Sequence, residues 1–125
     1  MKICVCIKEV PDSDVPSNKL KIDHENLRIL PSEKVPSIVN GFDLNAVELA
    51  LKFSENFDNA TVSIISVGHN LTSDVIKKPI AMGADEIITC DEEKVKNIDV
   101  NATAHIISKL IEKTGPYDVI FSGRH

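Results

Sequence analysis

The sequence predicts an α/β domain: a three-layer, open, mainly parallel sheet with helices on both faces. Continuous runs rich in β-branched residues alternate along the chain with segments whose apolar residues recur at helical spacing. Strands covered on both faces are nearly continuous apolar or β-branched runs, and most of residues 2–8 and 60–68 fit this description. Four such strands and three major helices, with no linker between them, predict one domain over residues 1–125.

The first strand and a hairpin open the chain. Lys2–Lys8 is the first apolar run, and its unbroken core, Ile3–Ile7, is expected at the centre of the sheet. The short apolar runs Leu20–Ile22 and Leu27–Leu30 are separated by four polar residues, which predicts a small hairpin within the first crossover.

A long helix and a second strand follow. Apolar residues at 44, 47, 50, 51 and 53 form a helical stripe within residues 42–57. Asp43 is expected to cap the first turn of this helix. The β-branched run over residues 60–68 predicts the next strand.

The second half repeats the alternation. Residues 70–85 predict a helix that starts at Thr72 or Ser73, ends at Gly83, and is kinked or delayed by Pro79. After it come a strand, a helix and a final strand, at residues 85–89, 101–115 and 117–123. We expect Val119–Phe121 to pair beside the first strand, because both are continuous apolar runs.

Charge and composition exclude several functions. A net charge of −5 gives no positive field for nucleic acid or an anionic membrane. No apolar run approaches the roughly 18 residues of a membrane span, so membrane insertion is not expected. Three cysteines without framework spacing fit a reducing compartment, which predicts a cytoplasmic protein.

No catalytic or metal-binding set is evident. Cys4 and Cys6 point to the same face of a strand, but a zinc site needs further ligands nearby, and Cys90 and the histidines are scattered. His105 is interpreted as a surface or boundary residue. Lys8, at the end of the first strand, either faces a ligand or is a solvated lysine, and the sequence leaves both open.

Glycines at strand ends indicate a binding site. Val67-Gly68 and Ser122-Gly123 fall at the carboxyl ends of strands, where a missing side chain lets a ligand approach the main chain. Residues 40–43 immediately precede a helix whose first amides favour an anion. Together they predict a site for a flat, phosphorylated ligand.

Five segments in order resemble a known family. CVCIKEVPDS, NGFDLNAVELAL, VSIISVG, AMGADEII and YDVIFSGRH are similar in order and spacing to the amino-terminal part of the β subunit of electron-transfer flavoproteins, including the FixA-type and bifurcating branch. The sequence has Gly41 where that family usually has proline, and His125 where it usually has glutamine. The family pattern continues past this point, so the domain is expected to be incomplete at its carboxyl terminus.

The resemblance implies an adenine-nucleotide α-hydrolase-like (Rossmann-like) fold that binds AMP or FAD. It also implies a partner α subunit that carries FAD, an acyl-CoA dehydrogenase-type or other redox partner, and an electron-carrier subunit with no catalytic residue of its own. Carried over by position, the nucleotide contacts are Cys6, Ile7, Lys8, Asn40, Gly41, Phe42, Asp43, Val67, Gly68, Gly123 and Arg124.

Two other readings remain open from the residues. A stand-alone nucleotide-binding module of the universal-stress type shares the general α/β plan, although it normally carries a glycine-rich phosphate motif late in the chain. The second of these readings is that the chain is a structural fragment that folds but has lost its ligand.

Overall fold

A computed structural model of the protein describes residues 1–30 and 35–124, so His125 lies outside it. Along the chain its strands and helices are β1 (Lys2–Ile7), β2 (Glu9–Pro11), β3 (Lys21–Asp23), β4 (Arg28–Leu30), β5 (Ser37–Val39), α1 (Gly41–Ser54), β6 (Thr61–Gly68), α2 (Ser73–Ile76), α3 (Lys78–Met82), β7 (Glu86–Asp91), α4 (Val100–Thr114) and β8 (Val119–Ser122).

The central sheet has four strands in the order β7-β6-β1-β8, and every neighbouring pair is parallel. β1 lies between β6 and β8, with Ile3 opposite Val62 on one side and Val119 on the other. Ile3 and Val5 are fully buried, as residues of a central strand should be. The predicted parallel sheet, the central first strand and the pairing of the last strand beside it are confirmed.

Helices cover both faces of this sheet. On one face, Ile3 and Val5 pack in a single core with Val47 and Ala50 of α1. Ile65 of β6 belongs to the opposite face because side chains alternate along a strand. It is nevertheless fully buried, since α4 packs against β6 there. The predicted three-layer arrangement is therefore confirmed.

The helix predicted over residues 70–85 is two short helices. Thr72 precedes the first of them, as expected, and Lys77 joins the two. Pro79 lies in the first turn of α3, where its missing N–H is tolerated. Gly83 ends α3 with φ of 124°, a conformation that favours glycine. The predicted interruption at Pro79 is confirmed.

In the described part of the crossover from β1 to α1, the chain forms two small antiparallel pairs. The predicted hairpin is present as β3 and β4, with Ile22 opposite Ile29. The second pair, β2 with β5, was not predicted. Among the residues that the structure describes, no helix is long and apolar enough to cross a membrane.

The prediction that Asp43 caps α1 is wrong. The cap is Asn40, whose side-chain oxygen accepts a hydrogen bond from the Phe42 amide at 2.8 Å. Asp43 lies three residues further on, inside the first turn, and is buried with 5% of its surface exposed. Its carboxylate therefore serves a different purpose, which the geometry of the sheet edge explains.

Candidate functional site

The predicted site residues meet at one edge of the sheet. Because β1, β6 and β8 are parallel, their carboxyl ends lie side by side, and the first turn of α1 faces them. In open α/β sheets this edge is where ligands bind. The residues after β1, at the end of β6, before α1 and after β8 are joined there by direct hydrogen bonds, which bring most of the predicted set together.

Lys8 connects three of these segments. Its amide donates to Asp43 Oδ2 at 2.8 Å, and its carbonyl accepts from the Asn40 amide at 2.8 Å. Its ammonium group donates to the Val67 carbonyl at 3.1 Å, across from β1 to β6. Lys8 is nevertheless exposed, so its charge also faces solvent at this edge.

Gly123 approaches α1 so closely that no side chain fits. A Cβ added there would lie 2.6 Å from both the Asp43 nitrogen and the Phe42 carbonyl carbon. The Gly123 amide also donates to the Asp43 carboxylate. Burial raises the pKa of Asp43 above its ordinary value, and the hydrogen bonds from the Lys8 and Gly123 amides oppose that rise.

A shallow groove extends the edge along α1 and β8, with a volume of about 360 Å³. Phe42, with 52% of its surface exposed, contributes an aromatic ring to this groove. The other lining residues are Asn45, Ala46, Leu49, Phe121, Ser122, Gly123 and Arg124. Three predicted residues, Phe42, Gly123 and Arg124, thus line a surface on which a flat group can lie.

The predicted residues differ in what they can offer a ligand. Lys8, Gly41, Phe42 and Arg124 are exposed, and nothing lies within 4 Å of a Cβ built at Gly41. Cys6, Asn40 and Gly123 are partly exposed, whereas Ile7, Asp43, Val67 and Gly68 are buried. The buried apolar members, Ile7 and Val67, can take part only through their backbone.

The two cysteines of β1 interact with each other. Cys4 is buried, and its hydrogen bond to Cys6 together with burial raises the pKa of the Cys4 thiol. The same hydrogen bond lowers the pKa of Cys6, against the effects of burial and of the Asp43 charge. Within residues 1–30 and 35–124, no group of three or more His, Cys, Asp or Glu side chains is arranged to hold a metal ion.

Two acidic residues that the sequence did not single out hold the loop after β6. Glu9 accepts hydrogen bonds from the Thr72 amide at 2.8 Å and the Thr72 hydroxyl at 2.6 Å. Asp91 accepts from the amides of Asn70 and Leu71 at 2.7 and 3.0 Å. Thr72 is 63 positions from Glu9, and Leu71 is 20 positions from Asp91, so no local sequence pattern marks these two acidic residues.

Comparison with known proteins identifies relatives. Residues 29–125 match the family described as "Electron transfer flavoprotein domain". The chain is 37% identical over 124 residues to the electron transfer flavoprotein subunit beta of Clostridium acetobutylicum, covering 99% of this chain and 45% of that protein. It is 33% identical to the caffeyl-CoA reductase-Etf complex subunit CarD of Acetobacterium woodii, with 99% and 45% covered. It is 31% identical to protein FixA of Azotobacter vinelandii, with 99% and 43% covered. The chain thus spans less than half the length of these relatives.

Proposed function

This chain belongs to the electron transfer flavoprotein domain family, and on that basis we propose that it acts as the β subunit of an electron-transfer flavoprotein. In this role it binds an adenine nucleotide, AMP or FAD, at the carboxyl edge of its sheet. It pairs with an α subunit that carries FAD and passes electrons from dehydrogenases to other acceptors. The free cysteines Cys4, Cys6 and Cys90 support a cytoplasmic location.

The observation that carries the proposal is the convergence of the parallel strand ends on the start of α1. The proposed nucleotide site comprises Cys6, Ile7, Lys8, Asn40, Gly41, Phe42, Asp43, Val67, Gly68, Gly123 and Arg124. Its character fits an adenine nucleotide: the exposed ring of Phe42 and the open space over Gly41 admit a flat base. Lys8 and Arg124 supply positive charge for the phosphates.

The chain's own residues would bind and orient the nucleotide and would carry out no bond-making step. A flavin, when bound, supplies the reversible acceptance of electrons. In this proposal, partly buried Cys6 would form a compact floor beneath the base, and the backbone of the buried residues Val67 and Gly68 would lie beside it. This division agrees with a carrier subunit that is not a self-contained catalyst.

Calorimetric titration with AMP, ADP and FAD tests the nucleotide site. We expect weak binding by the 125-residue chain, and its loss in Gly68→Trp, because a larger side chain there displaces Leu71 and fills the edge. Ala104→Trp, on the exposed side of α4, is the matched control and should leave binding unchanged. Equal loss of affinity in both variants would contradict the proposed location.

The partner is tested by co-purification with an electron-transfer flavoprotein α subunit carrying FAD. The protein is expected to form a one-to-one complex that exchanges electrons with an acyl-CoA dehydrogenase-type or other redox enzyme. The similarity to a subunit named for a caffeyl-CoA reductase complex supports this class of partner. A protein that stays monomeric in the presence of the α subunit would overturn this part of the proposal.

A further inference from the structure

One buried carboxylate joins the three segments that form the sheet edge. Asp43 Oδ2 accepts the Lys8 amide at 2.8 Å, immediately after β1. The same carboxylate accepts the Gly123 amide, immediately after β8. Asp43 itself belongs to the first turn of α1, so a single side chain fixes the exits of two strands to the start of a helix.

The helix does not need Asp43 for capping. Asn40 already caps α1 through the Phe42 amide. An acidic residue three positions after a cap commonly reaches back to the cap residue's amide. Here the Asn40 amide instead donates to the Lys8 carbonyl at 2.8 Å, which leaves the Asp43 carboxylate directed at the strands.

The start of α1 contacts Lys8 and Gly123 through several groups. Both backbone polar groups of Lys8 are bound at the start of α1, the amide by Asp43 and the carbonyl by Asn40. Gly123 is held against the same turn, where a Cβ would lie 2.6 Å from the Asp43 nitrogen. A buried carboxylate is unfavourable unless hydrogen bonds compensate it, and these two amides do so.

We propose that Asp43 is a positioning residue whose carboxylate holds the backbone at Lys8 and Gly123 in place, and that it does not itself touch the nucleotide. With 5% of its surface exposed and two amides bound, Asp43 has little surface left for a ligand. Lys8 and the exposed Arg124 next to Gly123 are then set at a fixed spacing along the edge. The effect on nucleotide binding rests on the proposed function, whereas the clasp between Asp43 and the two amides does not.

Backbone amide hydrogen exchange of the 125-residue chain, measured by NMR, tests the clasp. Asp43→Ala should speed exchange at Lys8 and Gly123 by about tenfold or more relative to core amides, the size expected for lost hydrogen bonds to a charged group. Asp43→Asn keeps one acceptor oxygen and should restore part of the protection. Val47→Ala, one turn along the same buried face of α1, is the matched control for general loss of stability. Exchange at Lys8 and Gly123 that follows core amides equally in Asp43→Ala and Val47→Ala would overturn the clasp.

Gly123→Ala disturbs the Asp43 carboxylate from the side of β8 and serves if Asp43→Ala does not fold. The added Cβ would meet the Asp43 carboxylate and lie 2.6 Å from the Asp43 nitrogen, so exchange should rise at position 123 and at Lys8 relative to core amides. Exchange at both positions that only follows the core amides would overturn the clasp.

Affinity for AMP, measured by chemical-shift titration, tests the positioning role. We expect Asp43→Ala to weaken AMP binding about tenfold, Asp43→Asn to recover part of it, and Val47→Ala to leave it unchanged. Faster exchange at Lys8 and Gly123 with unchanged affinity would overturn positioning while leaving the clasp. A wild-type chain that binds none of AMP, ADP and FAD would overturn the proposed function and with it the ligand half of this inference, and exchange would still decide the clasp.

Discussion

Lys8→Met tests whether the exposed ammonium group at the sheet edge serves a phosphate. The substitution keeps most of the side-chain length and removes the charge and the 3.1 Å hydrogen bond to the Val67 carbonyl. The backbone bonds of Lys8 to Asp43 and Asn40 do not depend on its side chain and should persist. The perturbation therefore removes one charge from the proposed site and leaves the frame around it.

The expected loss follows from the charge pair. Opposite unit charges about 4 Å apart attract by about 1 kcal/mol in water and by about 4 kcal/mol at an effective dielectric constant of about 20. Lys8 is exposed, so the lower part of this range applies, and a loss of about 1–2 kcal/mol weakens binding about 5- to 30-fold. The assay compares AMP with adenosine: Lys8→Met should weaken AMP by this factor and leave adenosine unchanged, because adenosine carries no phosphate.

Lys2→Met provides the matched control for Lys8→Met. Lys2 starts the same strand, roughly 20 Å away at the opposite edge, with its ammonium 5.6 Å from the centre of the Tyr117 ring. Lys2→Met removes the same charge without touching the proposed site, so the affinity for AMP should be unchanged. Equal weakening of AMP and adenosine by Lys8→Met, or equal effects of the two variants, would refute the phosphate role of Lys8.

Three further predictions concern the fold and its chemistry. Burial raises the pKa of Asp43 in the folded state above 3.8, so between pH 3.8 and that raised value the folded state binds a proton that the unfolded state has lost. The free energy of unfolding, measured by urea titration, should therefore fall as pH rises through this range, relative to that of Asp43→Asn. Ile65→Ala should lower the free energy of unfolding by about 2–5 kcal/mol, because Ile65 is fully buried. Ile120→Ala should lower it by less, because Ile120 lies on the same face of the sheet and is 51% exposed. Equal losses would contradict the conclusion that α4 covers Ile65. A chelator should leave the melting temperature unchanged, whereas a lower melting temperature would indicate a metal at Cys4 and Cys6.

Continuous apolar composition made the central position of the first strand predictable. Ile3–Ile7 has no polar position, which is how a strand covered on both faces appears in sequence, and the structure places it at the centre. Pro79 was equally informative, because proline lacks the N–H that a helix interior needs. Such features depend on local chemistry alone and can therefore be read from the chain.

The hydrogen bonds and close contacts at the sheet edge were not predictable to the same extent. Asp43 three residues after a cap looks the same whether it binds its own helix or an amide 35 positions away at Lys8. The close approach of Gly123 to Phe42 likewise depends on how β8 meets α1 and not on the residues around it. The sequence therefore predicted which segments meet at the sheet edge and missed how the residues there hold one another.

Chemical-shift mapping of the 125-residue chain with AMP tests the central claim most directly, because it detects weak binding residue by residue. We expect shifts concentrated on the backbone amides of residues 6–8, 40–43, 67–68 and 123–124, at the carboxyl edge of the sheet. Amides at the opposite edge, such as those of Lys2 and Thr61, should not move. The absence of any shift at millimolar AMP, or shifts clustered at that opposite edge or along α4, would contradict the nucleotide site.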